Sequence, residues 1–147
     1  MRDFIELRGH HLFCVNVTDM TGDPIYNPKF CDNFRKYQAM IEADPDLVIK
    51  VVETCGDTCL YCPAWVSQDH KCLLYDYEPG ANWIDLHILE ALGWKIGEEK
   101  TVRDLRRRIS QAFPTLPEMC RLACPFQHLL HCVEGLKRLK KEAAGSD

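Results

Sequence analysis

"LVIKVVETCGDTCLYCP", residues 47–63, runs from a β-branched stretch directly into three cysteines. Residues 47–52 are short and rich in Val, which predicts a strand. Cys55, Cys59 and Cys62 follow in a C-x3-C-x2-C pattern, and Cys72 comes soon after. Such short spacings let sulfurs converge on one centre with little chain to close. A strand should therefore deliver a cysteine loop, and the rest of the chain should fold around it.

Working outward, residues 4–8 suit a short strand, and "GHHLFCVNVTDM" reads as a helix starting near Gly9. "TGDPIYNP" is rich in breakers and predicts a loop. From Lys29 to about Ala43, Phe30, Phe34, Tyr37 and Ile41 fall at helical spacing. "LLYDY" after Cys72 suits a further strand. "ANWIDLHILEAL" is helical, with Gly93 well placed to end it. Thr101 and Asp104 have capping-box spacing, and the helix they open should turn Leu105, Ile109, Ala112 and Phe113 inward. Pro114 stops it. Helical character returns from Pro117 to about Ala144, with a break at Pro125. The expected fold is mainly α with a small β element. It forms a single cysteine-rich domain over 1–147, organised around one or two metal or cluster sites, with a tail frayed from about residue 143.

A chain of 147 residues with 46% hydrophobic content can bury one modest core. The net charge of −4 argues against a general nucleic-acid binder. Basic clusters at Arg103, Arg106, Arg107 and Arg108, and in "LKRLKKE", read as solvated helix faces. No apolar run reaches the roughly 20 residues that span a bilayer. The N-terminus lacks a signal-peptide core. The expectation is a cytoplasmic protein without a membrane, where thiols stay reduced. Nine cysteines there favour metal or cluster ligation over a disulfide framework, which would leave one thiol over.

Cys59, Cys62 and Cys72 form one triad. Cys120, Cys124 and Cys132 form another, with His128 between. Cys14 and Cys55 are candidates for the two remaining places, and Cys31 is the spare core thiol. A straight helix would hold Cys120 and Cys132 about 18 Å apart, too far for one centre. Residues 125–131 must then unwind, or Cys132 serves elsewhere. Cys-Pro pairs occur at Cys62-Pro63 and Cys124-Pro125, and "CRLACP" at 120–125 repeats the C-x3-C-P ending of a ferredoxin run without the C-x2-C-x2 before it, while zinc ribbons would want a second C-x2-C. Iron–sulfur, most simply [4Fe-4S], is therefore preferred, with zinc as the alternative. His10, His11 and His128 are weaker ligand candidates.

"RGHHLFC" at residues 8–14, followed by "GDTCLYCP" and Cys72, resembles an uncharacterised family of small bacterial and archaeal proteins. That family opens with Arg-Gly-His-His-Leu-Leu-Cys; here Phe13 replaces the second Leu. The resemblance covers most of the chain and implies iron–sulfur binding. It carries over Cys14, Cys59, Cys62 and Cys72 as a first ligand set, with Cys55 as the alternative fourth. Cys55 would otherwise join Cys120, Cys124 and Cys132 in a second site.

The expected function is electron transfer or redox sensing with a protein partner. A structural zinc module that binds a partner is the alternative. A small cluster-dependent enzyme is the third reading: "VVETCGDTCLYC" also resembles the cluster loop of radical S-adenosylmethionine enzymes. Those need a barrel of about 200 residues or more, and 85 residues follow Cys62. No phosphate loop or hydrolase motif is present. The His10-His11 pair suits either acid–base work or hydrogen bonds that orient the Cys14 segment.

Overall fold

The computed structural model describes residues 3–19, 28–53, 56–59, 65–66, 71–72, 80–115, 117 and 131–145. Strand β1 (Phe4–Arg8) leads without a break into helix α1 (Gly9–Val17). Helix α2 (Pro28–Ala43) follows, then strand β2 (Val48–Val52). A 3₁₀ turn (Asp57–Cys59) carries the first part of the cysteine loop. Short strands β3 (Trp65–Val66) and β4 (Lys71–Cys72) pair antiparallel, with Trp65 opposite Cys72. Helix α3 (Gly80–Leu92), strand β5 (Glu99–Thr101), helix α4 (Val102–Ala112) and helix α5 (Cys132–Gly145) complete the described elements.

β2 lies between β1, parallel to it, and β5, antiparallel to it. The parallel pair is possible because α1 and α2 supply the long crossover such strands need. Register places Ile5 opposite Ile49 and Leu7 opposite Val51. All four are buried, so the sheet turns one apolar face inward. Leu12, Phe13 and Val17 of α1 meet Ile88 and Leu92 of α3, Leu105 and Ile109 of α4, and Leu136 and Leu139 of α5 in a continuous core. Phe13 packs edge-to-face on Phe113 with ring centroids 5.2 Å apart.

The local sequence reading holds at most of these elements. Phe30, Phe34 and Ile41 of α2 are buried. Gly93 ends α3 in the left-handed region at φ 74°, and Thr101 caps α4 by accepting from the Asp104 backbone N–H. Leu105, Ile109 and Phe113 are inward, while Ala112 is half-buried. The strand expected in "LLYDY" lies outside the described residues, as does the helical stretch 118–130. His131 adopts φ 52° immediately before α5. A residue in that region cannot continue a right-handed helix, so no single straight helix runs through to Cys132.

The basic clusters do more than face solvent. Arg108 donates through Nε to the Leu92 carbonyl at 2.9 Å and through Nη2 to Ala91 at 3.2 Å, closing the end of α3. Lys140 does the same for α4, with Nζ 2.7 Å from the Ser110 carbonyl oxygen and 3.1 Å from that of Phe113. Cations at helix C-termini satisfy orphan carbonyls and oppose the helix dipole. No helix among the described residues is long and apolar enough to cross a membrane.

Candidate functional site

Arg8 ends β1 and stands at the N-cap of α1, but its side chain makes no cap. It is buried instead, with Nε 3.1 Å and Nη2 2.8 Å from Oδ2 of Asp85 on α3. The missing cap is supplied across the fold. Oδ1 of Asp85 accepts the His10 backbone N–H at 2.8 Å, one of the donors a helix start leaves open. The same oxygen also meets Nδ1 of His10. Gly9 fits because α1 and α3 touch backbone to backbone there. A Cβ at Gly9 would stand 2.5 Å from the Asp85 carbonyl oxygen.

Burial alone would raise the Asp85 pKa. The charge and hydrogen bonds of His10, followed by the Arg8 charge, outweigh it and hold the carboxyl at about 2. Asp85 therefore stays ionised at neutral pH as the common partner of Arg8 and His10.

His11 faces another way. Its ring lies 4.1 Å from that of His10, centroid to centroid, and meets Phe34 edge-on. Its Nδ1 is 2.7 Å from Oγ1 of the buried Thr58 and 3.9 Å from Sγ of Cys59. Desolvation and then the neighbouring His10 hold its pKa well below the usual imidazole value. Ring desolvation disfavours the charged form, so His11 is neutral at pH 7.

The turn carrying Thr58 and Cys59 is anchored by two other elements and closed by its own hydrogen bond. Asp57 Oδ2 accepts the Glu6 backbone N–H at 2.7 Å. Asn33 of α2 donates to the Asp57 carbonyl at 2.9 Å. The Cys59 N–H returns to the Gly56 carbonyl at 3.0 Å. β2 thus delivers the cysteine loop onto the β1–α1 junction.

His11 and Cys14 are the residues of α1 that escape full burial. Three apart, they share one side of the helix. β4, which carries Cys72, packs beside α3, and α3 packs on α1. Cys31 and Cys132 both lie in the hydrophobic core. Cys55, Cys62, Cys120, Cys124 and His128 lie outside the described residues. Among the described residues, no three His, Cys, Asp or Glu side chains are grouped to hold a metal ion. The fold brings together His11, Thr58 and Cys59, and it ties His10 to Asp85.

The sequence reading missed Asp85. Its signal was there: one carboxylate in the apolar stripe of α3, in step with Ile88, Leu89 and Leu92. A charge at a core position of an amphipathic helix calls for a buried partner.

A family model described as "Protein of unknown function (DUF1284)" matches residues 26–130. The chain belongs to this family. The DUF1284 match includes Asp85 and the cysteine loop, whereas "RGHHLFC" precedes it. No curated protein and no solved structure matches the chain.

Proposed function

We propose that this DUF1284 protein binds an iron–sulfur cluster through Cys14, Cys59, Cys62 and Cys72, and serves a protein partner as electron carrier or redox sensor. The observation that carries this reading is the docking of Cys59 against His11 of α1. It brings the N-terminal motif to the C-x2-C-P loop across 48 residues of chain. Cys14 shares the open side of α1 with His11, and the strand of Cys72 packs beside α3. A mixed set of thiolate and imidazole also suits zinc, and the His11–Cys59 contact keeps zinc as the second reading.

A bound cluster supplies one-electron exchange. The chain's own residues would hold it, screen it from water with the Phe30–Phe34 side of α2, and fix the ligand loop through Asp57. Cys31, in the core, takes no part. Cys132, in the core beside α1, gives a second cluster with Cys55, Cys120 and Cys124 less support than the first.

Iron and acid-labile sulfide on anaerobically purified protein test the reading. Iron with sulfide, lost in Cys62→Ser and kept in Cys31→Ser, is expected. Stoichiometric zinc without sulfide after iron-replete expression would overturn it.

A further inference from the structure

The two adjacent histidines do different work. His10 is turned to Asp85 and buried, its Nδ1 and backbone N–H both committed to one carboxylate. His11 points its Nδ1 at the cysteine loop, between Thr58 Oγ1 at 2.7 Å and Cys59 Sγ at 3.9 Å. Among the described residues, its Nε2 makes no hydrogen bond.

A cysteine that ligates a metal does so as thiolate and has no proton to give. Across the His11–Cys59 contact, the imidazole is therefore the donor. Thr58 Oγ1 can accept from the same N–H as readily as it can give its own proton. A proton on Nδ1 is then shared between the two, with the short branch to Thr58 and the long one to Cys59, which leaves Nε2 as the bare nitrogen. The tilted contact with the His10 ring and the edge contact with Phe34 hold the ring at this angle. Asp85 holds His10 in turn. The chain from Arg8 and Asp85 through His10 to His11 thus ends at one sulfur.

We propose that His11 is a positioning residue that donates an Nδ1–H hydrogen bond to the Cys59 sulfur and thereby sets the electron density at that ligand. This rests on the reading of Cys59 as a ligand and deepens it. A donor to a ligand sulfur stabilises the more electron-rich state of the centre. Losing it should move the midpoint potential to more negative values without loss of iron.

The test uses His11→Asn, His11→Gln and His11→Leu in the full chain, purified anaerobically, with iron, sulfide and midpoint potential measured for each. Asn carries its amide nitrogen at the place of Nδ1, while Gln carries it nearer Nε2. The expected result is a wild-type potential in Asn, a common negative shift in Gln and Leu, and unchanged iron and sulfide in all three. If His11→Leu does not fold, the Asn and Gln pair decides. Equal potentials in Asn and Gln overturn the proposal, and so does loss of iron in every variant, which would make His11 a direct ligand. A wild-type chain that carries zinc without sulfide overturns the iron–sulfur reading and leaves the hydrogen bond open to cobalt(II) exchange. The sulfur-to-cobalt absorption should then shift in Gln and Leu and return in Asn. No shift would overturn the proposal there, and a chain that takes up neither metal overturns both statements.

Discussion

Two arginine–aspartate pairs in this molecule bring opposite charges within hydrogen-bond distance in opposite surroundings. Arg8 meets Asp85 at 2.8 Å with side-chain exposures of 0% and 10%. Arg103 meets Asp46 at 3.2 Å with exposures of 54% and 76%. The first pair joins β1 to α3 and also carries the cap of α1. The second tethers the start of α4 to the turn before β2, in water that already solvates both ions. Charge at a short distance is common to both. What differs is what remains when one partner goes: a stranded buried ion in one case, a hydrated surface side chain in the other.

Asp85→Ala should give the largest loss, about 3–5 kcal/mol, because it strands Arg8 and uncaps α1 together. Urea unfolding measures it; a cost near that of a surface pair would break the comparison. Replacing both ions, as in Arg8→Met with Asp85→Leu, should cost less than Asp85→Ala alone. Equal costs would assign the loss to the cap rather than to the pair.

Gly9→Ala should cost about 3 kcal/mol, the upper range for overpacking. The new Cβ meets backbone of α3, which cannot turn aside as a flexible side chain can. A neutral result by thermal unfolding would mean that α1 and α3 slide apart easily, and the buried pair would then be softer than its geometry suggests.

Acid should separate the two sites next. The Asp85 carboxyl is lowered from 3.8 to about 2. A depressed carboxyl contributes stability above its unfolded pKa and loses it as pH falls through the folded one. About 2–3 kcal/mol should therefore disappear between roughly pH 4 and pH 2. Unfolding free energy of wild type and Asp85→Asn against pH tests this, and parallel curves would sink it.

The smallest effect belongs to the exposed pair. Arg103→Ala should change stability by about 0.5 kcal/mol or less, with the difference vanishing at high salt. A loss above about 2 kcal/mol would show that exposure fails to separate the two pairs.

Much of the architecture was legible along the chain. The apolar spacing of Phe30, Phe34 and Ile41, the β-branched run 48–52, the Thr101–Asp104 cap and Gly93 each depend on neighbours within a turn or two, so local chemistry sufficed. β5 was missed, since Glu-Lys-Thr carries no apolar alternation; it is a polar edge strand held by pairing with β2. The sequence alone also marked "RGHHLFC" and the C-x3-C-x2-C loop as chemistry-bearing segments. It could not assign a partner to Arg8 or divide the work of two identical neighbours. Asp85 lies 77 residues from Arg8, and Thr58 lies 47 from His11. Which carboxylate meets which histidine depends on how α1 seats against α3 and against the cysteine turn, and that choice is made by packing and desolvation in the folded chain.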